Sequence, residues 1–288
     1  MFYHVDVPEI KGKAVLAMIS LTPAESMRLI SRGVAALPEI KNALQNGLII
    51  IARGTTNAFV VEELINISVE PKSNYGRGLI VNGELHINIK RGLGNGYVVR
   101  QGTIEDVNPR DIIQNFRQDD IFIKGASAID SSGNAAVLAA GADSGTIGYA
   151  LPILMARAAH LIVPTGLERM IPSVSDAIPK TGIYKYKYST GMPCALIPLV
   201  NAEVITEIQA LAVLAGVRST HVASGGIGGS EGAVVLVIEG NEENLERAFS
   251  LIKSVKGEPA VGHPDQTDAP ASKFNYDPVA IMAAMNLP

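Results

Sequence analysis

Arg53-Gly54-Thr55-Thr56-Asn57 is the first stretch of this chain whose residue types promise chemistry. It follows the apolar run Leu48-Ile49-Ile50-Ile51-Ala52 and precedes a helix-prone stretch from Ala58 to Ile65. A Gly/Thr loop between a buried strand and a helix presents unpaired backbone N–H groups, hydroxyl donors and the positive end of the helix. Those features attract an anion, and phosphate is the commonest occupant; Arg53 adds a cation beside it. The same residues also suit a tight turn, with glycine for its geometry and Thr or Asn for capping. By itself the loop leaves both uses open. It carries neither the Gly-Lys-Ser/Thr of a phosphate-loop NTPase nor a dinucleotide-binding pattern.

A second loop, Gly125-Ala126-Ser127-Ala128-Ile129-Asp130, follows the strand candidate Asp120-Ile121-Phe122-Ile123-Lys124. A further small-residue stretch, Asp143-Ser144-Gly145-Thr146, leads into a helix that ends near Ala159. Ligands of open parallel sheets sit at the carboxyl ends of the strands, so loops after two neighbouring strands would share one crevice. Gly125, Ala126, Ser127, Ser144, Gly145 and Thr146 then join residues 53–57 as candidate binding residues. Lys124 is either a charge clamp on the ligand or a cap on an exposed strand end. Asp130 and Asp143 are either acid–base groups or turn formers. The acid–base reading makes Lys124, Asp130 and Asp143 the candidate catalytic residues.

The remaining reactive side chains are less organised. His4, His86, His160, His221 and His263 are scattered without metal-ligand spacing, so no metal site and no cofactor is expected. The single cysteine, Cys194, excludes an internal disulfide and a Cys-cluster metal site; it reads as a structural thiol, with a nucleophile as the alternative. Glu231, inside a glycine turn, reads as a solvated turn residue.

The elements that must position these residues read as α/β. Thr22-Pro23-Ala24-Glu25 is a capping-box helix start. The β-branched run at 48–52 suits a strand buried on both faces of a parallel sheet. Leu79-Ile80-Val81 and Glu84-Leu85-His86-Ile87 flank Asn82-Gly83, a hairpin signature, and residues 76–100 read as an antiparallel insertion. Leu161-Ile162-Val163-Pro164 is a further strand. The expected architecture is a Rossmann-like, mostly parallel sheet with helices on both faces over residues 1–192. A small α+β ferredoxin-like domain is expected over 193–262, from strands at 195–200, 218–223 and 233–239 and helices at 203–215 and 242–255. Residues 263–288 read as a tail.

Composition bounds the function. Hydrophobic residues make up 47% of the 288, enough for a sizeable core. With 24 basic and 28 acidic residues the net charge is −4, which argues against an extended nucleic-acid surface. The aromatic share of 5% and the absence of Trp argue against single-strand stacking platforms. No apolar run reaches the ~18–20 residues of a membrane helix, and the opening MFYHVDVPEIKGK lacks the order of a signal peptide. A cytoplasmic homo-oligomer is expected.

Residues 22–65 and 119–170 together resemble the superfamily of ribose-5-phosphate isomerase, glucosamine-6-phosphate deaminase and the coenzyme A transferases. Leu48 to Asn57 resembles its strand and Gly-Thr-Gly-Ser-Thr-type phosphate loop. Asp120 to Asp130, with Gly133, resembles the Gly-hydrophobic-Ser-Gly-Ile-Asp stretch of DeoR-type effector domains, and Leu161 to Pro164 the strand that follows. Ser127 stands where the isomerase pattern has an acid, and Arg53 where a glycine is usual. Residues 194–262 also resemble bacterial microcompartment shell domains in element order, although a lid or dimerisation module would use the same elements. The resemblance implies binding, with or without isomerase- or transferase-like acid–base conversion, of a small anionic metabolite such as a sugar phosphate. A non-catalytic sensor of the same fold and an assembly protein are the alternatives.

Overall fold

An apolar run such as Leu48–Ala52 needs cover on both faces, and the fold supplies it. The computed structural model describes residues 1–10, 13–88 and 96–265. From the N-terminus the elements are β1 (Val15–Leu21), α1 (Pro23–Ala36), α2 (Pro38–Asn46), β2 (Leu48–Ala52) and α3 (Thr55–Ile65). The hairpin β3 (Gly78–Val81) and β4 (Glu84–Ile87) comes next, then β5 (Gly96–Arg100) and β6 (Thr103–Glu105). The middle of the chain forms α4 (Pro109–Ile112), β7 (Ile121–Ile123), β8 (Ala128–Ile129), β9 (Ala135–Ala139), α5 (Gly145–Arg157) and β10 (His160–Pro164). After α6 (Val174–Ala177) come β11 (Ala195–Pro198), β12 (Glu203–Ile205), α7 (Glu207–Ala215), β13 (Arg218–Gly225), β14 (Ala233–Gly240) and α8 (Glu242–Val255).

A six-stranded sheet in the order β12-β10-β7-β2-β5-β6 forms the centre. Its first four strands are parallel, and β5 and β6 run antiparallel to close one edge. Alternation assigns the faces. Ile49 and Ile51 pack with Ile30, Val34, Ile40 and Val60 of α1, α2 and α3, whereas Leu48, Ile50 and Ala52 share a core with Ile147, Ala150 and Leu154 of α5. The expected mostly parallel, Rossmann-like sheet with helices on both faces is therefore present. α1 starts as its sequence predicts: the Thr22 hydroxyl accepts the Glu25 N–H, and the Glu25 carboxylate accepts the Thr22 N–H at 3.0 Å.

The insertion is shorter than expected. Asn82 and Gly83, both at positive φ, turn the β3–β4 hairpin, but β5 belongs to the central sheet, paired with β2 from Leu48↔Arg100 to Ala52↔Gly96. The glycine-rich residues 91–95 and the tail beyond 265 lie outside the described residues.

The segment 193–262 also departs from expectation. Its strands are divided among three sheets and do not close on one another as a ferredoxin-like unit. β11 pairs with β9, β12 extends the central parallel sheet beside β10, and the hairpin β13–β14 pairs with β1 from the other end of the chain. Glu203 to Ile205, expected to begin a helix, is this β12 strand; the helix starts after Thr206, whose hydroxyl caps it with Gln209 completing the box. Long-range pairing with β10 decided the conformation of these three residues. β1 is not among the strands expected from the sequence, although Val15 to Leu21 is an uncharged, mostly apolar run; what the sequence could not give is its partner, more than 200 residues away.

Candidate functional site

Because β2 and β7 are adjacent and parallel, with Ile51 beside Ile123, their carboxyl ends deliver residues 53–57 and 124–127 side by side. Asn57, fully buried, ties the two together: its Nδ2 donates to the carbonyls of Ala52 at 2.7 Å and Ile123 at 3.2 Å. Lys124 reaches across in the same direction, its Nζ donating to the Arg53 carbonyl at 3.3 Å. Gly125 lies between this pair and β10. A side chain there would come within 3.7 Å of the Pro164 carbonyl and 4.0 Å of Asn57 Oδ1, so three strand ends meet around it.

The electrostatics of this corner are positive. α3 begins at Gly54 with no side-chain cap and no acidic residue in its first turn, which leaves its first N–H groups and the positive helix end uncompensated. Burial, reinforced by the nearby Arg169 guanidinium, pushes the Lys124 ammonium down to about 8. Arg169 is itself anchored, with Nη1 donating to the Ala126 carbonyl at 3.0 Å and Nε facing Glu168 at 3.1 Å. Arg53 is spent differently from the anion-binding role its position suggests: its Nη2 donates to the carbonyls of Asn74 and Gly76, clamping that segment against β2.

Buried polar atoms without hydrogen-bond partners gather at the same edge. They include Arg53 Nε, Asn57 Oδ1, Thr165 Oγ1 and Glu168 Oε2. Buried polar atoms in native structures are completed by protein groups, water or a ligand, so these atoms, at or next to the carboxyl ends of β2 and β10, make the strand ends a candidate site. Thr165, fully buried, follows β10 directly, with its N–H donating to Ile205 of β12.

Thr165, Glu168, Arg169 and Glu207 were not picked out from the sequence. Glu207 opens α7 just after β12; it is fully buried and accepts the Leu167 N–H at 3.0 and 3.3 Å. Burial, and then the neighbouring Glu168, push its carboxyl up to about 7. A Thr-Gly pair after a strand was a usable signal for Thr165. Nothing in the local sequence indicated that residues 203–205 would add a fourth parallel strand and bring Glu207 with them.

The other sequence candidates lie differently. Ser127 turns the chain into β8, its hydroxyl accepting the Leu138 N–H. Asp130 is a structural anchor rather than an acid–base group: its oxygens accept N–H groups from Ser132, Asn134 and Val174, and the Asn134 amide. Burial opposes its ionisation, but these bonds win and hold the carboxyl below its ordinary value. Asp143 is exposed, accepts the Gly145 N–H and faces Arg110 at 3.9 Å, so Asp143, Ser144, Gly145 and Thr146 form the start of α5 with α4 as neighbour. Burial pushes the Cys194 thiol up to about 11, which disfavours the thiolate a nucleophile needs. Glu231 is a turn residue accepting the Gly229 N–H. Among the described residues no three His, Cys, Asp or Glu side chains gather as metal ligands.

A groove of about 600 Å³ opens elsewhere, lined by Leu85, Leu138, Tyr186, Tyr188, Ser189, Thr190 and Cys194. It has room but no convergence of charge or unpartnered donors, so the strand ends around Lys124 remain the candidate site. Comparison of the chain with protein-family models, with curated proteins and with solved structures returned no match.

Proposed function

We propose that the crevice at the carboxyl ends of β2, β7 and β10 binds a small anionic metabolite, of the sugar-phosphate or acyl-derivative class. The reading rests on one observation above the others: Lys124 Nζ lies 3.3 Å from the Arg53 carbonyl, at the uncapped start of α3. A cation and a helix end converge there on the same small volume. Gly54, Thr55 and Thr56 supply N–H and hydroxyl donors, Lys124 supplies charge, and Thr165 and Asn57 hold free polar atoms toward the rest of the ligand. With a pKa of about 8, Lys124 exchanges a proton close to neutral pH, which suits isomerase- or transferase-like acid–base conversion.

A sensor that binds without turnover is the second reading, and the engagement of Asp130 favours it, since that carboxylate has no capacity left for proton transfer. Assembly into a homo-oligomer is compatible with either. No described helix is long and apolar enough to cross a membrane, which suits a metabolite-binding protein of the cytoplasm. A thermal-shift screen of sugar phosphates, acyl-CoA species and nucleotides tests the proposal. Stabilisation by one class, lost in Thr55→Val and Thr56→Val, supports it; stabilisation that survives both variants and Lys124→Met removes it. Turnover of the stabilising compound separates enzyme from sensor.

A further inference from the structure

The sheet β1-β14-β13 has a free edge that does not look like the edge of a monomer. β1 is an outer strand, paired among the described residues only with β14. Its sequence, Val15-Leu16-Ala17-Met18-Ile19-Ser20-Leu21, contains no charge, proline or glycine, the devices by which proteins blunt exposed strand edges. Leu16 and Met18 are 65% and 68% exposed. One protection exists at the far end, where Lys256 Nζ donates to the Ser20 carbonyl, so the open stretch runs from Val15 to Ile19.

Beside that edge, β1 and α8 enclose a groove of about 470 Å³, lined by Val15, Leu16 and Ala17 on one side and by Leu245 and Phe249 on the other. The exposed rim of α8 completes it with Glu242, Glu246, Phe249 and Lys253, spaced four, three and four residues apart and so on one helical face. Acidic residues occupy the first half of this stripe, an exposed aromatic ring its middle and a lysine its last turn. Glu242, Glu246 and Lys253 make no ion pair with the described residues.

We propose that this edge and groove are the dimer interface of the protein, with a second copy as the occupant. An antiparallel pairing of β1 with its counterpart is two-fold symmetric by construction and joins two three-stranded sheets into one of six. The same two-fold axis sets the two α8 helices antiparallel across the groove. The acidic half of each helix then faces the basic turn of the other, and each Phe249 faces the apolar wall made by Val15 and Leu16. The stripe is complementary to itself only when reversed, and this identifies the partner as the same chain. The interface lies on a different sheet from the strand ends around Lys124 and is independent of the ligand reading.

Light scattering on the full chain at tens of micromolar tests it, with twice the 30.3 kDa chain mass expected. Met18→Lys and Phe249→Glu, both at exposed positions, return the protein to the single-chain mass while it stays folded, with a melting temperature that no longer rises with protein concentration. Lys253→Glu raises the dimer dissociation constant about tenfold, and adding Glu242→Lys restores it by exchanging the two ends of the stripe. A wild-type chain that stays at single-chain mass overturns the proposal and leaves the edge to a different protein or to residues 266–288. A dimer unaffected by Met18→Lys and Phe249→Glu together overturns it as well, since another surface then holds the copies.

Discussion

Lys124 Nζ donates to the Arg53 main-chain carbonyl at 3.3 Å, joining two loops that are 71 residues apart in the chain. That contact is long for a charged donor, and the ammonium beneath the loops has little else to satisfy it, which is why burial lowers its pKa to about 8. Under the proposed function, the ligand's anionic group takes the place of this weak acceptor at the ammonium.

The pH dependence of binding follows. Lys124 carries its proton below about pH 8, so affinity for a ligand whose own charge is constant is flat at lower pH and weakens by up to about tenfold per unit above it, while a phosphate monoester adds its own ionisation at about pH 6. Titration calorimetry between pH 6 and about 9.5 reads this directly. Lys124→Met should give a weak affinity that does not change over the range, and a wild-type profile that is equally flat would remove Lys124 from the site.

Thr165 and Asn57 separate stability from binding. The Thr165 hydroxyl is buried without a partner, so Thr165→Val relieves a desolvated donor and should leave stability unchanged or raise it by about 1 kcal/mol while weakening the ligand. Asn57→Ala instead removes two buried hydrogen bonds and strands the Ala52 and Ile123 carbonyls, at a cost of about 2–3 kcal/mol. Denaturant midpoints compared with ligand-induced shifts check both. A destabilised Thr165→Val protein would mean that the hydroxyl has a structural partner.

Glu207 sets a slope in stability. Its folded pKa of about 7 lies above its ordinary value, so the folded chain holds this proton more tightly than the unfolded chain does. Stability from this group is complete below the unfolded pKa near 4.5, falls as pH rises, and is lost once pH passes about 7. Melting temperature should therefore fall from pH 5 to about 8 in the wild type, and less steeply in Glu207→Gln, which keeps a neutral side chain at every pH. Equal slopes in the two proteins would show that Glu207 is not the titrating group.

Much of the main sheet was legible in the amino-acid order alone, and so were the two loops that its strand ends bring together. Leu48 to Ala52 could only be covered on both faces, Thr22 and Glu25 could only begin a helix, and the strand–loop–helix order around Gly54 placed donors at a strand end. These are local consequences of apolar periodicity and of backbone groups that need caps, and they hold whatever surrounds them. The uses of individual side chains were less legible. Asp130 has the residue type of a proton carrier, yet the N–H groups of Ser132, Asn134 and Val174 consume its oxygens; Arg53 has the type of an anion clamp, yet two carbonyls from residues 74 and 76 hold its guanidinium.

Only the tertiary structure decided which strands became neighbours. The placement of β7 beside β2 brought two loops to one edge of the sheet, β12 beside β10 brought Glu207 toward Glu168, and β1 joined β14 across the length of the chain. The physical reason is common to all three. A strand's apolar pattern states that it needs neighbours, but hydrogen bonds between strands are the same for every backbone. The choice of partner therefore rests on the combined burial of faces that no short segment contains.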